Sequence, residues 1–543
     1  MTGAPNLAFV NGPVATMDSV RSFTDAVAVR NGRIIALGSA TVEGIVTSQT
    51  EVVDLRGRLL LPGFQDAHVH PVYGGLQRLR CDLSASTDAR DCLRRVGEYA
   101  RTHPEAGWLL GAGWDLGHFP AGAPARESLD TVTGDRPAYL VNQDHHGAWV
   151  NTAALRHAGI DRDTPDPPNG RIERDAVGHP AGVLHEGATE LVTRVIPAAA
   201  EDEYRQGLLE GQRYLHTCGV TAWQDAIIGP YLGYADTLDL YRDLDRQGLL
   251  TARCTGALWW DPTRDESQLA DLLSRRARAR GGSHFRAETV KIMQDGICEN
   301  HTAAMLEPYL GGHGSGESRV DAEVLARAVR RLDDEGFQVH FHAIGDRAVR
   351  EALDAVAGAR QVNGMNDLRH QIAHVQVVHP DDLARFRTSG VAANIQARWA
   401  INDLQMTELT TPYLGRARAS RQYPFRTMHQ AGAVLAAGSD WPISGAEPLQ
   451  AVHVAVNRSE HGTDQEPFLP QQALDLGDAL AVATIGSAWV NHLDDETGSI
   501  ELGKRADLAV LDADPFLLPP TEIGSVSVDM TVVDGNVVHE CAR

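Results

Sequence analysis

The segment Phe64-Gln65-Asp66-Ala67-His68-Val69-His70 carries two imidazoles two residues apart, just after the apolar run Leu59-Leu60-Leu61-Pro62-Gly63. In an extended strand, residues i and i+2 share a face. His68 and His70 can therefore offer two nitrogen ligands to one cation. Further along, Lys291, His342, His374 and Asp440 each lie in or just after a short apolar run. Imidazole and carboxylate are ready ligands for zinc and similar divalent ions. Four histidines, a lysine and an aspartate exceed the tetrahedral set of one ion, which points to two ions. With 23 histidines in the chain, chance placement has to be weighed. Ordered placement on successive strand-like runs sets these four apart.

Lys291 has a chemistry of its own. An ammonium cannot ligate a cation, but a lysine amine that has reacted with CO₂ is a carbamate whose two oxygens can bridge two metals. Arginine cannot do this, because its guanidinium stays protonated. Burial beside cations lowers a lysine pKa and supplies the neutral amine. Of 49 Lys+Arg residues only Lys291 and Lys504 are lysine, so a lysine kept inside Val290-Lys291-Ile292 needs a reason. The plainer reading is a buried ion pair with Asp295 or Glu299, where arginine would serve as well. His340 shares a strand face with His342. His342 is preferred as ligand because the loop Ala343-Ile344-Gly345-Asp346 follows it directly. Asp440, in Gly438-Ser439-Asp440-Trp441-Pro442, is placed as ligand and general base, against the alternative of a helix N-cap. Asp346-Arg347 reads as an N-cap and a first-turn residue.

These side chains need a scaffold that brings strand ends together. From Thr289 onward the chain alternates strands (289–293, 338–342, 371–375, 391–395, 434–438) with helical stretches at 320–335 and 347–357. Such βα repetition predicts an α/β fold, a distorted (β/α)₈ TIM-type barrel with its active site at the strand C-termini. A doubly wound sheet is the alternative, but no GxGxxG opens the first unit. Both chain ends read as short strands with Asn31-Gly32 and Asp534-Gly535 turns. They predict one small β-sandwich from residues 1–58 and 491–543 around a barrel domain of 59–490. The stretch at about 73–197 is too long for one βα loop and reads as an insertion over the barrel mouth.

The 543 residues carry a formal net charge of −23. That disfavours nucleic acid and anionic membrane surfaces, both of which reward basic patches. No apolar stretch reaches the ~20 residues needed for a membrane span, and no signal peptide is evident. Six scattered cysteines without CxxC pairing read as reduced thiols in a cytoplasmic protein. The expected partners are a small-molecule substrate and a second copy of the chain in a homodimer.

Taken together, His68-Val69-His70, Val290-Lys291-Ile292-Met293-Gln294-Asp295-Gly296, His340-Phe341-His342-Ala343-Ile344-Gly345-Asp346-Arg347-Ala348, Ile372-Ala373-His374 and Gly438-Ser439-Asp440-Trp441-Pro442 resemble the amidohydrolase superfamily. Within it they are similar to the YtcJ-like branch that includes N-substituted formamide deformylases. The resemblance covers nearly the whole chain and implies a carboxylated lysine and hydrolysis of C–N bonds. The closing Gly498-Ser499-Ile500-Glu501-Leu502-Gly503-Lys504 resembles the return into the family's sandwich and makes Lys504 part of a structural turn. Asp144-His145-His146-Gly147 resembles an insertion motif that would turn His146 toward substrate as an oxyanion-stabilising group. Gln396-Ala397-Arg398-Trp399 departs from the branch's pattern, so pocket specificity does not carry over.

The expected activity is hydrolysis of an amide or formamide C–N bond in a small, hydrophobic substrate by metal-activated water. Deamination of a heterocycle with one ion is the alternative, and a non-catalytic regulatory barrel a further one. Asp440 and His146 are the candidate catalytic groups. Trp114, His146, Arg398, Trp399 and Trp441 are the candidate substrate contacts, and Trp149 is a further aromatic residue of the expected mouth. Aromatic side chains commonly line small-molecule pockets.

Overall fold

The computed structural model describes residues 4–542, apart from 120–122, 144, 146, 168–169 and 232–233. At its centre eight parallel strands run in sequence order: β1 (Phe64–Val69), β2 (Val220–Ile228), β3 (Arg253–Trp259), β4 (Phe285–Met293), β5 (Gln338–Ala343), β6 (Gln371–His374), β7 (Ala392–Ile395) and β8 (Leu435–Ala437). Helices cover the outside, so strands such as β1 and β2 are buried along their whole length, as parallel strands are. The ring closes at the mouth rather than through a full ladder. Asp440 N–H donates to the His68 carbonyl at 2.7 Å and His70 N–H to the Trp441 carbonyl at 2.9 Å. Gly438 makes that seam possible: a Cβ there would lie 2.5 Å from His68 Cβ and 2.6 Å from Asn394 Oδ1.

The helix Ala322–Asp334 illustrates how local sequence sets these elements. Asp321 caps it by accepting from Glu323 and Val324 N–H, and Leu325, Ala328, Val329 and Leu332 form the buried stripe. The next helix, Asp346–Asn363, is longer than its sequence suggests and is capped by Gly345. Asp346 is not the cap. Its carboxylate accepts the Leu306 N–H at 2.8 Å, pinning the long loop after β4.

Both chain ends fold into paired sheets sharing one core, with Phe9, Val29 and Leu55 packed beside Leu508, Val510 and Val532. The turns at Asn31-Gly32 and Asp534-Gly535 have left-handed backbone at both residues, as two-residue hairpins require. Leu60–Pro62, part of the apolar run before the histidines, pairs with Leu508–Val510 and belongs to this sheet, not to the barrel. Packing against the C-terminal strand requires it, and β1 starts only at Phe64. Lys504 ties the return turn, its Nζ donating to the Asp494 carbonyl, Ser499 and Glu501.

The insertion has a six-stranded sheet running from Cys81–Asp82 to Pro180–Glu186 and its own apolar core. It touches the barrel's post-strand loops, with Asn300 donating to Glu186. Five cysteines are buried, Cys541 is exposed, and all six are free thiols. No described helix is long and apolar enough to cross a membrane.

Candidate metal centre

Six side chains from five strand ends converge at the mouth. His68 and His70 leave β1. His70 Nε2 lies 3.2 Å and His68 Nε2 3.4 Å from Asp440 Oδ1. Ligand atoms of these three residues all fall within 4.8 Å of one another. Lys291 Nζ comes from β4 to 3.4 Å from His68 Nε2. The His374 ring, at the end of β6, stands 4.4 Å from the His342 ring of β5 and 5.0 Å from that of His68. His374 (φ 79°) and Asp440 (φ 57°) both hold left-handed backbone, an uncommon conformation for non-glycine residues that clusters at functional sites.

The donor set suits a divalent cation. Among the described residues, both His374 nitrogens and His70 Nδ1 are buried without a hydrogen-bond partner. Buried imidazole nitrogens normally find a partner, so nitrogens left this way fit ligands better than packing. Burial, reinforced by charge on Lys291 and the neighbouring histidines, holds His68 and His340 well below the ordinary histidine range, so both are neutral. His342 and His374 are held down in the same way, chiefly by burial. Burial lowers Lys291 to about 7, against the opposing pull of Asp440, so a large fraction of its amine is neutral near neutral pH. Burial raises Asp440, but the hydrogen bond from His70 and the charges on His374, His70 and Lys291 outweigh it and leave the carboxyl below its usual value.

The family description "Amidohydrolase family" matches residues 51–539. The chain belongs to the amidohydrolase family. It is 30% identical to the putative amidohydrolase YtcJ of Bacillus subtilis, covering 97% of this chain and 98% of that one. It is 28% identical to the N-substituted formamide deformylase of Arthrobacter pascens, covering 99% of both. Among solved structures, an uncharacterized metal-dependent hydrolase from Pyrococcus furiosus superposes with a TM-score of 0.74 at 25% identity, covering 94% of this chain and 99% of that one.

In this amidohydrolase the plainer reading of Lys291, an ion pair with Asp295 or Glu299, is not what forms. Asp295 accepts the N–H groups of Ala304, Ile344 and Gly345 and sits 3.2 Å from His342 Nδ1. Burial raises it to about 7 against those backbone donors. Glu299 accepts from Thr410. Asp295 instead orients His342, the carboxylate–histidine support typical of metal sites.

The expected substrate contacts divide. Trp399 stacks on His374 with ring planes 4° apart and centroids 5.1 Å apart, so it is part of the centre's wall. Trp114 does not reach the site. It is buried in the insertion's core against Trp149 and Phe119, and its indole N–H donates to the Leu140 carbonyl. Trp149 is held there too, by the Ala125 carbonyl. Trp441 adjoins the centre through its backbone, but its indole packs on Tyr214 and over Gly74, where no side chain fits. Arg398 pairs with Glu447 at 2.8 Å. His146 lies outside the described residues.

Tyr73, which the sequence pattern does not single out, reaches the centre, with Tyr234 stacked behind it. Tyr73 stacks on His70 (5.6 Å, 8°) and on Tyr234 (4.1 Å, 23°), and its buried hydroxyl has no partner among the described residues. Tyr231 follows β2 and packs on Trp259. Asp66 and Asp225 were also passed over. Asp66 accepts the His68 and Ser439 N–H groups, and burial lifts it to about 7. Burial lifts Asp225 to about 6, and it accepts the Tyr241 hydroxyl. The signal for Asp66 stood inside the first motif, two residues before His68.

Proposed function

We propose that this amidohydrolase hydrolyses the C–N bond of a small, hydrophobic N-substituted amide or formamide. Its centre would hold two divalent ions, zinc by ligand type, with Lys291, after carboxylation, as a ligand shared between them. The observation that carries this reading is Lys291 Nζ at 3.4 Å from His68 Nε2, inside the same cluster as Asp440. In the carboxylation, the neutral Nζ attacks the carbon of CO₂, an N–C bond forms and one N–H proton is released to solvent. His68, His70 and Asp440 would hold one ion, His342 and His374 the other. When bound, such ions supply Lewis acidity and bring the pKa of a ligated water toward 7.

The chain's own groups do the rest. Asp440, ionised at neutral pH, is positioned to take a proton from the attacking water and return it to the leaving nitrogen. Asp295 holds His342 and leaves its other nitrogen facing the centre. Trp399 and Tyr73, packed on His374 and His70, narrow the approach and favour an apolar substituent on the nitrogen. His146 is the candidate to stabilise the developing oxyanion.

The name of the Arthrobacter pascens relative is what favours a formamide within the amide class. Single-ion deamination would leave Lys291 without a role, so counting metals per chain separates the two reactions. The direct test is a hydrolysis screen of N-formyl, N-acyl, carbamate and cyclic amide substrates with zinc-loaded and chelated protein. Zinc-dependent turnover of an N-substituted formamide or amide is expected. Turnover confined to heterocyclic amines, with one ion per chain, would overturn the reading.

A further inference from the structure

Beside and beneath the centre, the barrel interior holds a hydrogen-bonded layer of amide side chains: Gln224, Gln338, Gln371, Asn394 and Gln396, all buried. Backbone groups fix which way each amide faces. Gln338 Nε2 donates to the Arg369 and Val490 carbonyls at 2.8 and 2.7 Å, so Gln338 Oε1 must accept from the layer. On the other side, Gln396 Oε1 accepts the His374 N–H at 2.8 Å, and Asn394 Nδ2 donates to the Ala67 carbonyl at 2.9 Å. Asn394 Nδ2 also donates to Gln371 Oε1 at 2.8 Å, which leaves Gln371 Nε2 to donate to Gln224 Oε1 at 2.8 Å. Gln224 Nε2 in turn donates to Gln338 Oε1 and Thr289. Two independent routes, one through each side of the barrel, thus make Gln224 Oε1 an acceptor.

The ring atom that faces Gln224 Oε1 is His340 Nδ1, which must therefore carry a proton. Strand register explains why it is there. His340 lies level with Lys291 on β4 and Gln371 on β6, one side-chain layer deeper than His342. His340 is fully buried, and its two ring nitrogens face an amide oxygen and an imidazole rather than a carboxylate, so nothing beside it balances a charge. Its Nε2 is then a lone pair, and it lies 3.0 Å from His68 Nδ1.

We infer that His340, held by the glutamine layer, is a positioning residue that fixes His68 as the Nδ1–H tautomer, so that the Nε2 lone pair faces the metal centre. The inference rests on the metal-centre reading and adds to it a neutral relay where a carboxylate or carbonyl usually stands. The relay has a competitor. Asp440 Oδ1, 3.4 Å from His68 Nε2, would favour the opposite tautomer. Lys291 Nζ, at the same distance, carries N–H protons in either charge state and can donate to the lone pair. The shorter His340 contact, backed by anchored amides, decides the balance.

The test measures zinc affinity by chelator competition, without substrate, in wild type, His340→Leu and His340→Gln. Losing such a support typically costs about 10- to 100-fold in metal affinity. His340→Leu is expected to weaken zinc by that factor, and His340→Gln, whose amide oxygen can accept from His68, to recover most of it. Unchanged zinc affinity in His340→Leu overturns the inference. So does a His340→Gln protein that unfolds like wild type yet binds zinc as weakly as the leucine variant. Should the variants not fold, the ring-nitrogen resonances of metal-free, ¹⁵N-histidine-labelled wild type decide, with His68→Gln giving the assignment. A protonated Nδ1 is expected, and a protonated Nε2 overturns the relay. An amide screen that fails while wild type binds zinc would overturn the proposed reaction and leave this test standing. Absence of zinc binding by wild type would sink both.

Discussion

The barrel mouth and the insertion beside it are both rich in aromatic and histidine residues, yet they use them in opposite ways. In the mouth, His68 and His70 hold ligand atoms close to those of Asp440, the His374 ring stands beside those of His68 and His342, and Trp399 and Tyr73 stack on His374 and His70, with Tyr234 behind Tyr73. In the insertion, Trp114, Trp149 and Phe119 pack edge to face on one another, and both indole N–H groups are satisfied by backbone carbonyls. A satisfied, mutually packed aromatic cluster is a core. Orphaned nitrogens under aromatic covers make a site. Composition does not separate the two cases, and hydrogen-bond accounting does.

The sharpest way to break the contrast is Lys291→Arg. Arginine keeps the charge but cannot form a carbamate. Activity should be abolished and metal content should fall, as measured by turnover and by metal analysis of the purified variant. Full activity with unchanged metal would return Lys291 to the status of a buried structural cation. The wild-type amine carries a pH dependence as well. Its lowered value of about 7 means that protons leave it as pH rises through 7. Reactivation of chelated protein by zinc at a fixed concentration of dissolved CO₂ should therefore be faster at pH 8 than at pH 6. The reverse order would count against carboxylation.

Asp440→Asn comes next. It keeps size and some ligand ability but removes basicity, and kcat should fall by about 10²-fold or more, the usual scale for loss of a general base. A change confined to KM would show that proton transfer belongs to another group.

The third pair sets the two regions directly against each other. Trp114→Ala should cost about 3–5 kcal/mol of stability, the range for emptying a large aromatic site in a core, with zinc affinity unchanged. Trp399→Ala should cost less stability, because that ring is only partly buried, and should raise KM for N-aryl or N-benzyl substrates. Thermal unfolding and steady-state kinetics on both variants check this. If Trp114→Ala raised KM while leaving stability intact, the insertion's cluster would be a pocket after all.

Most of the barrel was legible because two signals coincide there. Strand-like runs alternate with helical stripes, and each strand end carries a residue type with few bland uses. Lys291 stood out because the chain otherwise takes arginine. The amide layer had no such signal. Gln224, Gln371 and Asn394 sit inside apolar strands and read as ordinary strand residues, since their role depends on partners over a hundred residues away, such as Gln224 and Gln371. His340 was visible but ranked behind His342, because one-dimensional spacing cannot tell which of two residues on a face lies deeper. Tyr73 was obscured by lying where β1 gives way to the insertion. The tryptophans misled because proximity in sequence to a mouth-like segment says nothing about which side of its own sheet a ring occupies.

Arg398 sharpens the comparison at its smallest scale. From sequence, a guanidinium near the mouth would favour a carboxylate on the substrate. Its Nη1 is instead 2.8 Å from Glu447 Oε2, and the other Glu447 oxygen accepts the Tyr214 hydroxyl. A charge already answered by a hydrogen-bonded carboxylate has little left for a second one, and a partly exposed pair of this kind is worth only about 0–1 kcal/mol. A matched pair of N-benzyl amides, with and without a carboxylate, should then have kcat/KM values within about fivefold of each other, since 1 kcal/mol corresponds to that factor. Arg398→Ala should leave the ratio nearly unchanged. Glu447→Gln is the informative variant, because it releases the guanidinium and should move preference toward the carboxylated member. If wild type already prefers that member by a large factor, and Arg398→Ala removes the preference, then Glu447 does not satisfy Arg398 in solution and the apolar reading of the pocket fails.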